Sequence, residues 1–231
     1  MIFLEKRYIK NLNALSESDV VKLNKSHVCL IGCGGLGGNI LESISRIGIE
    51  KITAVDGDIF DESNLNRQLL SNSENLGLSK VIEAKHRVEL INPNIDFTGL
   101  KNIITKKTID NIIPKNVDCI IDAVDNVKTR FLLEEFAEKN EIPLIHGAIG
   151  GWYGQVSLIM PGDKTISKIY QEKSDEITPE EPMGNLPFLA SLVASIEVSE
   201  LIKLLTDKGD LLRNKMLYID LKENTYNIFE L

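Results

Sequence analysis

The sequence predicts a doubly wound α/β fold with a mostly parallel sheet that antiparallel strands continue toward the C-terminus. Short apolar segments alternate with segments of helical periodicity as far as about residue 145, and a glycine-rich turn directly follows the first apolar segment. After Gly154 the pattern changes to strand-like segments that follow one another. At 231 residues, the chain is predicted to form one domain over 1–231.

The individual helices and strands are predicted from the periodicity of apolar residues and from capping residues. Ser16 is the expected cap of the first helix, and the first strand is apolar enough to be buried on both faces. The predicted helices cover 17–25, 39–47, 77–91, 105–113, 126–139 and 187–205, and the predicted strands cover 27–31, 51–55, 95–100, 117–122, 142–145, 155–160, 165–170, 216–221 and 225–229. The polar stretch 173–187, with three prolines, is predicted to be a mobile crossover loop.

Composition narrows the class of protein. A formal charge of −8 and a pI near 5.0 disfavour nucleic acid as a partner, because affinity for phosphate backbones needs clustered cations. No segment has the apolar length of a signal peptide or a membrane span, so we expect a cytoplasmic protein that does not bind membranes. Cys29, Cys33 and Cys119 form no CxxC pair, which predicts no disulfide framework and no structural zinc.

The glycine-rich turn predicts a nucleotide site of the Rossmann-like kind. Gly32, Gly34, Gly35 and Gly37 match GxGxxG between a predicted strand and a predicted helix, where backbone N–H groups and the helix dipole attract phosphate. Asp56 closes the second strand 24 residues after Gly32, near the spacing expected of a residue that binds a ribose. NAD, FAD and ATP all satisfy this pattern.

The segment after Asp56 favours ATP over a dinucleotide. It contains Asp58, then Asn64, Arg67 and Gln68, and Lys80 opens the next predicted helix. An arginine and a lysine near the glycine turn would place positive charge where phosphoryl charge develops, which is the main catalytic contribution in phosphoryl transfer. A dinucleotide oxidoreductase has no use for them.

Taken together, these motifs resemble those of the ThiF, MoeB and HesA family, the bacterial relatives of ubiquitin-activating enzymes. The motifs that carry the resemblance span nearly the whole chain: GCGGLGG, AVDGD, SNLNRQ, GLSK, INP, DAVDN, HGAIGGWYGQV and ASIEVSELIKLL. The resemblance implies an adenylyltransferase that uses ATP and Mg²⁺. Its expected partner is a ubiquitin-like sulfur-carrier protein of the ThiS or MoaD type, whose C-terminal Gly-Gly carboxylate attacks the α-phosphate and releases pyrophosphate.

The same resemblance assigns roles to the matching residues. It implies that Asp56 and Asp58 lie at the nucleotide, that Asn64, Arg67 and Gln68 hold the phosphates, and that Lys80 reaches the α-phosphate. Asp125 is the expected magnesium ligand; it follows a buried strand, with capping of the helix at Asn126 as its alternative role and Asp122 as the alternative ligand. The expected organisation is an N-terminal helical segment (1–26), a nucleotide-binding core (27–150) and a carrier-binding portion (151–231).

The sequence departs from the family pattern in two places. Many members have an N-terminal arginine that reaches into the partner subunit of a homodimer; here Lys10 stands in its place, with Arg7 as an alternative. Many also have zinc-binding cysteine pairs and a cysteine in the crossover loop, where this chain has Glu180. Because a carboxylate forms neither a thioester nor a persulfide, we expect adenylation without covalent capture of the carrier.

Three other functions compete with this one. The first is a dehydratase that adenylates a modified tRNA base by the same chemistry, which the acidic pI disfavours. The second is an NAD-dependent oxidoreductase, which leaves Arg67 and Lys80 without a role. The third is a catalytically silent binding module, which the missing cysteine and the lysine at position 10 suggest.

Overall fold

The computed structural model describes residues 5–170 and 183–231. Its strands are β1 His27–Ile31, β2 Lys51–Val55, β3 Asp96–Leu100, β4 Cys119–Asp122, β5 Leu144–Gly150, β6 Tyr153–Ile159, β7 Lys215–Asp220 and β8 Thr225–Glu230. Its helices are α1 Glu17–Lys25, α2 Gly35–Ile47, α3 Lys80–Ile91, α4 Ile109–Ile112, α5 Val127–Lys139, α6 Thr165–Ile169 and α7 Pro187–Thr206, with 3-10 helices at Lys6–Asn11 and Glu62–Asn64.

All eight strands belong to one sheet in the order β3-β2-β1-β4-β5-β6-β7-β8. The pairs from β3 to β5 are parallel, and those from β5 to β8 are antiparallel. Ile31, the last residue of β1, is in register with Val55 and with Asp122, the last residues of β2 and β4. The predicted fold class is therefore confirmed, and three strands end together at one edge.

Two apolar clusters cover the two faces of the sheet. One packs α2, α3 and α7 against it through residues such as Leu30, Ile40 and Val193. The other packs α4, α5 and α6 through residues such as Ile31 and Leu133. Because both faces are covered, β1 and β4 are buried at every position, as an apolar parallel strand requires.

Local signals explain most element boundaries. Ser16 and Asp19 form a capping box at the start of α1, as the predicted cap implies. Helix α2 begins at Gly35 rather than at residue 39, because the second half of the glycine motif forms its first turn. Gly48 ends α2 in the left-handed conformation that glycine adopts at no steric cost. The predicted helix 105–113 is limited to one turn, Ile109–Ile112.

The predicted strand 165–170 is wrong, because Thr165–Ile169 forms the short helix α6. The side chain of Glu134 on α5 accepts hydrogen bonds from Ile166 N at 2.6 Å and from Ser167 Oγ at 3.0 Å. These bonds supply partners to the first turn of α6, and Ile166 is fully buried against the sheet. A tertiary contact thus overrides the strand preference of the sequence.

Most of the predicted crossover loop 173–187, with Glu180, lies outside the described residues. Within 5–170 and 183–231, no helix is long and apolar enough to cross a bilayer.

Candidate active site

The glycine turn joins β1 to α2 at the edge where the parallel strands end. Gly32 has a φ of 98°, and a β-carbon there would lie 2.5 Å from the carbonyl oxygen of Ala123. A β-carbon on Gly37 would lie closer to the carbonyl oxygen of Gly32 than any non-bonded contact allows. Gly32 N also donates to Val55 O at 2.8 Å. Only glycine fits both positions, so the turn is packed tightly against β2 and the residues that follow β4.

Asp56 fixes the turn from the neighbouring strand. Its Oδ2 accepts a hydrogen bond from Cys33 N at 2.7 Å, and its Oδ1 accepts one from Asp58 N at 2.8 Å. Burial and the nearby Asp56 raise the pKa of the Cys33 thiol well above its usual value, so this cysteine is neutral and unreactive at neutral pH. Cys33 therefore serves as a small residue of the turn and not as a nucleophile.

Arg67 and Gln68 fold back over the turn. A β-carbon on Gly35 would lie 3.5 Å from Arg67 Cγ, and one on Gly34 would lie 3.5 Å from Gln68 Nε2. Arg67 Nη1 donates to Ser63 O at 3.2 Å and to Asn66 Oδ1 at 3.0 Å. Since both side chains occupy space that the glycines leave open, any phosphate on the turn would meet them.

Lys80 approaches from the first position of α3. Its side chain is 9% exposed, and Nζ lies 3.3 Å from Asp58 Oδ2. A lysine with its stem buried and its ammonium at a cavity wall is a fixed positive charge, in contrast to an ordinary surface lysine.

These groups border one cavity of about 260 Å³. The predicted site residues on its wall are Gly32, Gly34, Gly35, Asp56, Asp58, Arg67, Gln68, Lys80 and Asp125. The cavity lies beyond the ends of β1, β2, β4 and β5, where open α/β sheets bind their ligands. The structure thus brings together nine residues chosen from the sequence alone.

Three predicted residues lie elsewhere. Gly37 packs α2 against the turn without reaching the cavity wall. Asn64 is the last residue of the 3-10 helix Glu62–Asn64 and completes its capping box, since its Oδ1 accepts from the N–H of the cap residue Asp61 at 3.1 Å. Lys10 lies beside the opposite end of α2, because its neighbour Asn11 donates to Ile47 O. A helix of 13 residues is about 20 Å long, so Lys10 is remote from the cavity of its own chain.

The two candidate metal ligands differ in availability. Asp122 is fully buried, and its oxygens accept from Val124 N at 3.0 Å and from His146 Nδ1 at 2.8 Å. Asp125 is exposed at the cavity wall, and its carboxylate accepts from Asn126 Nδ2 over 3.4 Å. The cap of α5 is Asn126, whose side chain accepts from Thr129 N, so Asp125 is not used for capping.

Asp125 fits magnesium better than it would fit zinc. Mg²⁺ is commonly bound by one or two carboxylates together with substrate phosphates and water, and an exposed carboxylate on this wall matches that donor set. Within the described residues there is no group of three His, Cys, Asp or Glu side chains that could hold an ion by themselves. A metal here would therefore need the phosphates of a bound nucleotide.

A buried polar network lies behind the cavity. His146 is fully buried and contacts Asp122 through Nδ1 and both Tyr170 and Gln155 through Nε2. Burial lowers the pKa of His146, although Asp122 opposes the shift, so the imidazole is neutral. Arg130 donates to Val124 O at 3.0 Å and to Tyr170 OH at 3.0 Å while it borders the cavity. The network holds the segment that carries Asp125.

Sequence reasoning missed several residues on the cavity wall. They include Asn102, Ile103, Thr129, Arg130 and Asn185. Thr129 and Arg130 follow the DAVDN motif by one helical turn, a signal that could have been used. Asn102 follows β3 and Asn185 precedes α7, and no local pattern marks either of them as close to the glycine turn.

Comparison with known proteins identifies the family of the chain. A sequence model of the ThiF family matches residues 6–231. The SAMP-activating enzyme E1 of Haloferax volcanii is 29% identical over 207 residues, which cover 89% of this chain and 76% of the relative. The molybdopterin-synthase adenylyltransferase of Haemophilus influenzae is 30% identical over 204 residues, 86% of this chain and 82% of the relative. The tRNA threonylcarbamoyladenosine dehydratase of the same organism is 33% identical over 153 residues, 66% of this chain and 58% of the relative.

A solved structure shares the fold. The crystal structure of E. coli MccB with ATP superposes with a TM-score of 0.85 at 20% identity, covering 98% of this chain and 71% of MccB. The cavity over the glycine turn, together with relatives named as adenylyltransferases, defines an enzyme of the adenylyltransferase class. The protein belongs to the ThiF family.

Proposed function

We propose that the protein uses ATP to adenylate the C-terminal Gly-Gly carboxylate of a ubiquitin-like sulfur carrier of the ThiS or MoaD type. The observation that carries the proposal is the convergence of Arg67, Gln68 and Lys80 on the cavity that the glycine turn opens. Relatives named as adenylyltransferases support adenylation as the chemistry.

The order of the strands suggests how ATP would lie. Asp56 follows β2, the glycine turn follows β1, Asp125 follows β4, and Ile149 belongs to β5. Because the strands are neighbours in the order β2-β1-β4-β5, the cavity extends over three strand spacings, about 14 Å. A ribose at Asp56 and phosphates over the turn leave the β4 and β5 side for the attacking carboxylate.

The proposed reaction is an in-line displacement at phosphorus. A carboxylate oxygen of the carrier forms a bond to the α-phosphorus, the bond from that phosphorus to the α,β-bridging oxygen breaks, and pyrophosphate leaves with the electron pair. The carboxylate is already anionic, so the chain needs no general base. The barrier comes from the approach of one anion to another, which Arg67 and Lys80 lower by placing positive charge at the phosphates.

Magnesium would be held by Asp125 and the phosphates. When bound, it would neutralise charge that develops on the phosphate oxygens. Asp125 suits this role because the Asn126 cap and the buried network behind β4 fix the backbone on both sides of it.

The carrier would dock on the sheet beyond β5. Tyr153, Tyr218 and Phe229 form a row across β6, β7 and β8, with ring centroids 6.0 Å and 6.3 Å apart. Every residue of β8 is exposed, and Phe229 is 50% exposed. An aromatic row on an exposed antiparallel edge next to the β5 end of the cavity suits a folded partner whose tail enters that end.

A homodimer is part of the proposal. Six large apolar side chains are exposed on the segment that also carries Arg67 and Lys80: Ile59, Leu65, Leu69, Leu76, Leu78 and Ile82. So many on one segment are typical of an interface. A catalytic role for Lys10 would need such a second copy, because the residue does not reach the cavity of its own chain.

The test is direct. The purified protein is incubated with ATP, Mg²⁺ and candidate carriers of the ThiS and MoaD type, and pyrophosphate release and carrier mass are measured. We expect pyrophosphate only with a carrier that ends in Gly-Gly, and a mass increase equal to one AMP on that carrier. A carrier that lacks the last glycine is the control. Failure with every Gly-Gly carrier would contradict the proposal.

A second candidate is adenylation of a modified tRNA base, favoured by the dehydratase relative. The net charge of −8 disfavours it, because tRNA binding relies on cationic surface. Adding tRNA to the same assay separates the two candidates: pyrophosphate release that depends on tRNA and not on a carrier would support the dehydratase.

A further inference from the structure

The last residues before α7 cross the β5 end of the cavity. Gly151 N donates to Gly184 O at 2.8 Å, and Gly151 pairs with Asn185 in a parallel β-bridge. Asn66 Nδ2 donates to Asn185 O at 2.9 Å. The backbone of Asn185 is thus held from two sides, by the β5–β6 turn and by the segment that carries Arg67.

The side chain of Asn185 lies at the cavity wall and carries an unsatisfied hydrogen-bond acceptor. Its Oδ1 is buried and has no hydrogen-bond partner among the residues that the structure describes. Burying an amide oxygen without a hydrogen bond costs free energy, which is recovered when a donor binds to it. Because the backbone is fixed by other contacts, the side chain is not needed to hold the segment in place.

The position of Asn185 excludes most of the nucleotide as the missing partner. In the proposed orientation of ATP the ribose would lie at β2 and the phosphates at β1, whereas Asn185 pairs with Gly151, directly after β5. Phosphate oxygens accept hydrogen bonds and do not donate them, so they cannot satisfy Oδ1. A peptide N–H does donate, and a peptide carbonyl accepts from the amide nitrogen of the same side chain.

We propose that Asn185 is a specificity-determining residue that binds the peptide bond before the terminal glycine of the incoming tail. Its Oδ1 accepts a hydrogen bond from the N–H of that glycine and so holds the carboxylate at the α-phosphate. The inference rests on the proposed function, because it requires a peptide tail as the acceptor of AMP.

The experiment removes the proposed hydrogen bond either from the carrier, by deleting the N–H of its last glycine, or from the enzyme, by deleting the Asn185 side chain. Two forms of one carrier are prepared, one ending in Gly-Gly and one with its final glycine N-methylated, which deletes the N–H and keeps the carboxylate. For the wild-type protein and for Asn185→Ala, kcat/KM for each carrier is measured by pyrophosphate release. The ratio of the two values does not depend on the fraction of enzyme that is folded.

We expect the wild-type protein to prefer the unmodified carrier by about tenfold, the loss typical of one hydrogen bond left unmade. In Asn185→Ala this preference should disappear, while KM for ATP stays unchanged. Asn102→Ala, at the other end of the cavity, is the matched control: it should raise KM for ATP and keep the preference between carriers.

Each other outcome has a definite meaning. The role of Asn185 would be overturned, with the proposed function left intact, by any of three results. These are a preference in Asn185→Ala as large as in the wild type, no preference in the wild-type protein, or an Asn185→Ala variant in which only KM for ATP rises. No pyrophosphate from the wild-type protein with either carrier would overturn the proposed function itself.

Discussion

Arg67 and Lys80 border the same cavity but are fixed by different contacts. The Arg67 guanidinium bonds to its own loop, through Ser63 O and Asn66 Oδ1. The Lys80 ammonium is paired with Asp58 at the end of a mostly buried side chain. Both therefore offer charge in a set position before any ligand binds, the condition under which electrostatic stabilisation of a transition state is most effective.

Replacing Arg67 or Lys80 tests this arrangement. We expect Arg67→Ala and Lys80→Ala each to lower the rate of adenylation by about 10²–10³-fold, because charge developing at the phosphates loses a fixed partner. Arg46→Ala is the matched control, since Arg46 pairs with Glu42 on the surface of α2, outside the cavity. Single-turnover rates at saturating ATP give the comparison. Rates equal to that of the control would place the chemistry elsewhere.

The burial of Glu197 predicts how the stability of the protein changes with pH. This residue of α7 is fully buried against Gly147, and its oxygens have no hydrogen-bond partner among the described residues. Burial raises the pKa of Glu197 well above its usual value; Asp122 adds to the rise and Arg130 opposes it. The folded protein therefore keeps a proton that the unfolded chain releases above pH 4.5.

Because the folded state binds the extra proton, stability should fall as pH rises from the unfolded pKa toward the folded pKa, by roughly tenfold in the folding equilibrium constant per pH unit. Glu197→Gln resembles the protonated acid and removes this loss. We expect the Tm of the variant to exceed that of the wild type increasingly between pH 5 and pH 8. Parallel Tm curves over this range would show that Glu197 is ionised in the folded protein.

At the scale of elements, the β1–turn–α2 unit sets the site. The turn is packed from three directions: by the Gly32 carbonyl beneath Gly37, by the backbone that follows β4, and by Arg67 and Gln68 above Gly34 and Gly35. The N-terminus of α2 therefore points at the cavity with its backbone N–H groups available for phosphate. Any side chain at Gly37 would move the helix and the turn apart.

Gly37→Ala and Gly38→Ala form a matched pair within α2. A β-carbon on Gly38 meets Leu70 Cγ at 3.2 Å, a side chain that can shift, whereas one on Gly37 meets the backbone of Gly32. We expect Gly37→Ala to destabilise the protein by about 1–3 kcal/mol or more and to abolish binding of ATP. Gly38→Ala should do neither, as improved helix propensity offsets the contact. Thermal unfolding and calorimetric titration measure both effects; equal effects would mean that the turn tolerates displacement.

At the scale of the whole molecule, Lys10 lies at the wrong end of α2 for its own cavity. Tyr8 anchors the 3-10 helix that carries it: the ring is buried against Gly48, and Asn92 Nδ2 donates to Tyr8 OH at 2.9 Å. Burial, with nearby Glu50, raises the pKa of Tyr8 to about 12, so this phenol stays neutral. An anchored segment cannot swing over the length of α2, so a catalytic role for Lys10 requires a second subunit.

Mixing two inactive variants tests this requirement. In a dimer of one Lys10→Ala and one Arg67→Ala subunit, one of the two sites has its own Arg67 and receives Lys10 from the neighbour. We therefore expect the mixture, after subunit exchange, to recover about a quarter of wild-type activity if pairing is random, since half of the dimers are mixed and each has one intact site. Each variant alone is the control. No recovery in a mixture shown to exchange subunits would exclude action across the dimer.

The sequence by itself determined the fold class, the glycine turn and nine residues of the cavity wall. The fold class, the glycine turn and Asp56 follow from short-range signals: apolar periodicity, glycines at fixed spacing, and an acidic residue directly after a strand, whose end a parallel sheet places at the ligand-binding edge. The other residues of the wall were assigned from the resemblance of motifs such as SNLNRQ, GLSK and DAVDN to the family pattern. Tertiary structure alone decided that Thr165–Ile169 is a helix, because the Glu134 side chain, on another helix, accepts a hydrogen bond from a backbone N–H in its first turn. It also decided that Asn185 reaches the cavity and Lys10 does not, because both depend on contacts between residues far apart in the chain, which no local pattern encodes.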